Sequence, residues 1–204
     1  KVSLTQESPV VVYSDAEGSG AIGVVAVGRK PHTDPPYPSW KFHSPAWCDN
    51  IQMQELAGVI LAILALRSLN LSGTTYLAVD NQSVIESMIK GSSSNTIMRH
   101  LVGRTWSLIG DAGLNAYFEY VPSRCNIADA PSREEWSGLP PEIYSPSPID
   151  LAPEFFAFMD SVADDIEQFG GDIREGPADE RDSDTDEPDQ PVSDPETDRL
   201  SVTD

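Results

Sequence analysis

The chain has 204 residues, 33 Asp+Glu against 13 Lys+Arg, and a net charge of −20. That acidity is uneven: residues 1–138 carry 10 Lys+Arg and 13 Asp+Glu, whereas residues 139–204 carry 3 and 20, so the front of the chain does not exclude a nucleic-acid partner. Cys48 and Cys125 lack a C-x-x-C spacing, which excludes a disulfide framework or zinc ribbon. They read as two buried thiols in a reducing, intracellular compartment, cytoplasm or nucleus. No apolar stretch approaches the ~18 residues of a membrane span without a charge, so no membrane partner is expected. The chain opens on Lys1 without a signal-like segment and reads as a piece of a longer product.

In chain order, Val10–Ser14 is a β-branched run, Asp15–Gly20 a small polar turn and Ala21–Val27 a second apolar run, together a hairpin. The four prolines between Arg29 and Ser39 predict a loop, and Trp40–His43 a third strand. Met53, Leu56, Ala57, Ile60, Leu61, Leu64 and Leu69 fall at helical spacing, with Asp49 or Asn50 as the cap. Thr74–Val79 is a short buried strand, Asn81–Lys90 a helix stopped by Gly91, and Asn95–Asp111 a helix stopped by Gly113. A fifth strand over Ala116–Val121 and a last helix over Ile127–Trp136 complete a domain spanning residues 1–138. The order β-β-β-α-β-α-α-β-α predicts an α/β fold with a mixed five-stranded sheet, three antiparallel strands followed by parallel ones, flanked by helices.

Beyond it, residues 139–150 read as a proline-rich linker and residues 151–170 as one amphipathic helix through Phe155, Met159, Val162, Ile166 and Phe169. That helix either packs back onto the domain or docks a partner. Residues 171–204 are too polar to offset their ordering entropy and read as a disordered acidic tail. The tail is a solubilising extension or an electrostatic competitor of nucleic acid for nearby arginines.

Four acids stand at element ends where a mixed sheet gathers its sites: Asp15 after the first strand, Glu55 inside the first helix, Asp80 after the fourth strand, Asp129 opening the last helix. Taken singly each has a structural explanation: a turn for Asp15, a solvated helix position for Glu55, a helix cap for Asp80, a favourable first helical turn for Asp129. Together, four converging carboxylates repel one another and call for divalent cations.

Several strings carry a family resemblance: Tyr13-Ser14-Asp15-Ala16 with Gly18 and Gly20 behind it, Gln54-Glu55-Leu56, Val79-Asp80-Asn81, and the run Val121-Pro122-Ser123-Arg124-Cys125-Asn126-Ile127-Ala128-Asp129-Ala130-Pro131-Ser132-Arg133. Over about Val10 to Trp136 the chain resembles the ribonuclease H domains fused to retrotransposon reverse transcriptases, with Asp80-Asn81 and Lys90-Gly91 most similar to the DIRS-like group beside the Ty3-like one. The resemblance implies an endonuclease that cuts the RNA strand of RNA/DNA hybrids, with a reverse transcriptase domain upstream. It implies two Mg²⁺ ions, with Mn²⁺ able to substitute, held by Asp15, Glu55, Asp80 and Asp129. Such ions activate water on one side of a phosphodiester and stabilise the leaving oxygen on the other. Ser14, Gly18, Gly20, Asn81, Gln82, Arg124 and Arg133 are expected to touch the substrate through ribose hydroxyls or phosphates.

One departure stands out. Many ribonucleases H carry a His shortly before the last Asp, but Val121–Cys125 has none, and His32, His43 and His100 lie elsewhere. Two other functions fit part of the pattern. Asp15-Ala16-Glu17 matches the Asp-x-Glu of 3′–5′ exonucleases, although Arg124 and Cys125 stand where those enzymes need His or Tyr. A non-catalytic module that tethers partners through the tail is the third reading.

Overall fold

Alternation along the first two strands decides which side of the sheet each residue serves. The computed structural model describes residues 9–28 and 34–169. Strands β1 (Val10–Ala16) and β2 (Ala21–Val27) form an antiparallel hairpin in which Val11 faces Val27 and Ala16 faces Ile22. Val10, Val12, Ile22, Val24 and Ala26 enter the main core, while Val25 joins a smaller cluster with Ala128, Leu139 and Tyr144 on the other face. The hairpin is therefore buried on both sides. Because β1 runs on to Ala16, Asp15 lies within the strand, and the turn is confined to the stretch from Glu17 to Gly20, where Gly20 adopts a φ of 91°.

Strand β3 (Tyr37–His43) pairs antiparallel with β2, β4 (Gly73–Val79) parallel with β1, and β5 (Leu114–Tyr120) parallel with β4. This is the mixed sheet that the sequence predicts, with one addition. A sixth strand, β6 (Tyr144–Pro146), lies parallel to β3 and completes the order β5-β4-β1-β2-β3-β6. Residues 139–150, expected as a linker, thus contribute to the sheet. Tyr37 N donates to Ile143 O at 2.8 Å, Ser147 N donates to Ser39 O at 2.9 Å, and Leu139 and Tyr144 are buried. Proline suits this position because an outer strand needs few amide donors.

Helices α1 (Ile51–Ser68), α2 (Gln82–Lys90) and α3 (Thr96–Asp111) each begin at an asparagine whose side chain accepts an orphan amide: Asn50 from Met53, Asn81 from Val84 and Asn95 from Met98. The periodicity of α1 predicts one buried face, yet every residue from Met53 to Leu66 is buried. The sheet covers one side of it and α3 with the last helix covers the other. By length and composition α1 could cross a membrane, but 78% of it is buried inside the molecule, as befits a core helix.

That last helix, α5 (Ala152–Gln168), packs back onto the domain: Phe155, Met159, Val162 and Ile166 are fully buried, and Phe155 stacks on Phe42. Cutting the chain after Gly138 would remove both β6 and α5. Helix α4 (Asp129–Arg133) is shorter than the predicted span and is flanked by 3₁₀ turns at Ser123–Cys125 and Trp136–Gly138. It ends where Glu134 turns extended and its carbonyl accepts from Lys41 Nζ at 2.8 Å. Of the two cysteines only Cys48 is buried, and desolvation pushes its thiol up to about 12; Cys125 is exposed, against expectation. The expected disordered tail, residues 171–204, lies outside the described residues, as does His32.

Candidate metal centre

Parallel pairing brings the first two acids together. β1 and β4 pair Tyr13 with Ala78, and continuing that register by two residues sets Asp15 beside Asp80, with both side chains on one face. Glu55 arrives from the other side. One turn along α1, Gly58 sits so close to β1 that a Cβ there would meet Ile22 Cγ2 at 3.3 Å and Ser14 Cβ at 3.4 Å. This close approach lets Glu55, on the same helical face, reach the strand end and accept the Ala16 amide. Ligand oxygens of Asp15, Glu55 and Asp80 consequently lie within 4.8 Å of one another.

Three carboxylates in that space are costly without a counter-charge. Asp15 and Glu55 are only 2% and 4% exposed. Burial pushes the Asp15 carboxyl up to about 6, a rise that the Ser132 hydroxyl opposes and that Asp80 and Asp129 reinforce. Burial, then the charges of Asp80 and Asp15, pushes Glu55 up to about 9. Glu55 Oε2 is buried without a hydrogen-bond partner. An orphaned oxygen beside two further carboxylates, all of them oxygen donors, fits a hard divalent cation of the Mg²⁺ or Mn²⁺ kind.

Asp129 does not join the 4.8 Å group. Its Oδ1 is engaged 2.6 Å from Arg133 Nε, one helical turn away, although its charge still reaches Asp15. The backbone carrying it is held tightly. Gly23 on β2 leaves room for it: a Cβ there would fall 2.4 Å from Ala128 O and 2.6 Å from Ser132 N. Two buried side chains tie the same segment to β1. Asn126 Nδ2 donates to Ser14 O at 2.9 Å and approaches Asp15 Oδ1 at 3.5 Å, while its Oδ1 accepts from Ala128 N. Ser132 Oγ donates to Asp15 Oδ2 and lies 2.8 Å from Asp129 O.

Asn126 and Ser132 are site residues that sequence reasoning did not single out. Both stand in the quoted run before Arg133, but short polar side chains carry no periodic signal, and their contacts span 111 or more residues. The residues expected at the substrate are scattered. Ser14 is buried under Gly58, on the face of β1 opposite Asp15. Gly20 is buried in the turn, where a Cβ would meet Ser44 Oγ at 3.0 Å, whereas Gly18 is exposed with open space around it. Asn81 spends its side-chain oxygen on the α2 cap; Gln82 and Arg124 are exposed, and Arg133 is paired with Asp129. Glu17, the second acid of the Asp-x-Glu string, lies outside the cluster and binds Ser19 instead.

No family model matches the chain, and no curated protein matches it. Solved structures similar to it include the RNase H1 of the halophilic archaeon Halobacterium salinarum NRC-1, at 16% identity over 59% of this chain and 89% of that one, with a TM-score of 0.45. LC11-RNase H1, solved in complex with an RNA/DNA hybrid, aligns at 15% identity over 58% of this chain and 88% of its own, with a TM-score of 0.45. Prototype foamy virus protease-reverse transcriptase aligns at 15% identity over 60% of this chain and 20% of its own, with a TM-score of 0.39. Likeness at these identities assigns no role to any residue, and the chemistry has to be built from the acids themselves.

Proposed function

We propose that the chain is a metal-dependent nuclease of the ribonuclease H type, cutting the RNA strand of an RNA/DNA hybrid within an intracellular retroelement. The observation that carries this reading is the cluster of Asp15, Glu55 and Asp80, two of them buried, with one carboxylate oxygen left without a partner. Burial of that kind opposes folding, and among the described residues the Arg133 charge reaches Asp15 without making an ion pair to it. A functional demand is the physical reason to keep it.

Asp15, Glu55 and Asp80 would hold a divalent ion, with Asp129 beside them for a second. Such ions, when bound, lower the pKa of water and offset charge developing on a phosphodiester. The protein's own part is positional. Ser132 and Asn126 hold the Asp15 oxygens in one orientation, Gly58 lets α1 deliver Glu55, and the parallel β1–β4 register delivers Asp80. Arg124 and Arg133, both on the segment around Asp129, suit phosphate contacts, and the exposed Gln82 and Ser83 at the start of α2 suit ribose hydroxyls. Without a histidine in the Val121–Cys125 stretch, product release is expected to be slow.

The test is cleavage of a labelled RNA/DNA hybrid with Mg²⁺ or Mn²⁺, comparing wild type with Asp80→Asn. Internal cuts in the RNA strand should drop by about 10²-fold or more in the variant, the scale of losing one electrostatic contact to a transition state. Stepwise release of nucleotides from DNA ends would instead favour the exonuclease, and inactivity of both proteins the tethering module.

A further inference from the structure

Helix α4 sets an acid and a base one turn apart at the edge of the metal centre, and their pairing has a consequence for the site. Arg133 Nε lies 2.6 Å from Asp129 Oδ1, with the arginine side chain 59% exposed and the aspartate 34%. The backbone beneath them has little room to move. Ala128 O and Ser132 N already press against the vacant Cβ position of Gly23, and Asn126 and Ser132 bond β1. The reach of Asp129 toward Asp15 is therefore decided by its side-chain torsions and by what its carboxylate is bonded to.

Resting on the nuclease reading above, we propose that Arg133 is a latch released by substrate: in the free protein its guanidinium holds Asp129 apart from the Asp15, Glu55 and Asp80 group, and on binding it transfers to a phosphate oxygen of the nucleic acid. Asp129 is then free to turn toward Asp15. Two acceptors compete for one guanidinium, and no covalent bond changes. The exchange is easy because an ion pair this exposed is weak in water, whereas a guanidinium matches two phosphate oxygens at once. Arg133 thus acts as a positioning residue through Asp129, coupling completion of the metal centre to the presence of a phosphodiester. The same pairing spares the free protein a fourth uncompensated carboxylate next to Asp15.

The experiment uses the full chain, isotopically labelled, in wild-type, Arg133→Gln and Arg133→Lys forms. Mn²⁺ is titrated without nucleic acid, and broadening is read at the Ala130 amide, beside Asp129, and at the Ala16 amide, beside Asp15; reading single amides separates this site from the acidic residues elsewhere. Affinity for an RNA/DNA hybrid is measured in Ca²⁺. In Arg133→Gln, broadening at Ala130 should occur at about 3-fold lower Mn²⁺, the scale an exposed ion pair permits, while hybrid affinity falls several-fold. Arg133→Lys should restore part of the hybrid affinity. A merely structural arginine would weaken both on removal, so opposite signs support the latch; unchanged or higher Mn²⁺ demand at Ala130 overturns it. Absence of broadening at Ala16 in every variant would instead overturn the nuclease reading, and the latch with it.

Discussion

Two of the described regions that set carboxylates against the helical layer handle them in opposite ways. Where α5 packs against α3 and α1, acids are neutralised by arginine: Arg104 Nη1 lies 3.2 Å from Asp165, Arg104 Nη2 donates to Ser161 Oγ at 2.9 Å, its guanidinium covers the Phe158 ring, and Arg67 pairs with Glu154. At the end of β1 and β4, Asp15, Glu55 and Asp80 crowd together, and the guanidinium of Arg133, whose charge reaches Asp15, bonds Asp129. The first arrangement is what docking a helix requires, since each charge gains a partner and the apolar residues supply the adhesion. The second gives no such return to the fold. Under the proposed function, an acid cluster that burial alone would eliminate is kept for chemistry and not for packing.

The contrast can be broken first at its apolar side. Phe155 is fully buried and stacks on Phe42, so Phe155→Ala should cost about 3–5 kcal/mol of stability, the range for a large aromatic removed from a core. A urea-unfolding series measures it. A cost below about 0.5 kcal/mol, the level of a surface substitution, would mean that α5 is an accessory and not part of the domain.

Next in size is the response of the charged side to protons and metal. Asp15 rises from 3.8 to about 6 and Glu55 from 4.5 to about 9 on folding, so the folded state holds extra protons. The stability this confers is fully present below the two ordinary values and is lost as pH climbs through 6 and then 9. Without divalent ions, the urea midpoint should therefore fall as pH rises across that window, and Asp15→Asn with Glu55→Gln should flatten the fall. Mg²⁺ at about 100 times its dissociation constant should restore about 2.7 kcal/mol, most effectively at the alkaline end. A midpoint with equal pH dependence in wild type and double variant would remove the basis for the contrast.

The smallest effect belongs to the neutralised acids. Asp165→Asn should cost only about 0.2–1 kcal/mol, because the Arg104 pair is partly exposed and Ser161 remains as a partner. Hybrid cleavage should be untouched. A loss of cleavage in this variant, at unchanged stability, would show that the α3–α5 face communicates with the metal centre.

Much of the architecture was legible in local sequence. Valine-rich runs with alternating neighbours, helical spacing from Met53 onward, asparagine caps and stopping glycines all act within a few residues of where they sit, and they placed the first five strands and α1 to α3, except that β3 begins at Tyr37, inside the stretch expected as a loop. Legibility declined where an element depends on distant contact. β6 exists because Tyr37 and Ser39 offer it a partner 107 residues away, and in Tyr144-Ser145-Pro146 only the tyrosine favours a strand. The amphipathic pattern of α5 predicted a buried stripe without naming its partner; Phe42, α1 and α3 supply it.

The acid cluster divides along the same line. Sequence alone determined that Asp15 and Asp80 stand near the ends of strands, Glu55 near the start of a helix and Asp129 in the first turn of another, because residue type and local pattern decide those positions. Only the tertiary structure decided that three of them converge within 4.8 Å, that Asp129 is turned to Arg133, and that Ser132 and Asn126 steady Asp15. The reason is physical: those outcomes follow from strand register, from the close approaches at Gly23 and Gly58, and from the partners left over once the backbone is packed.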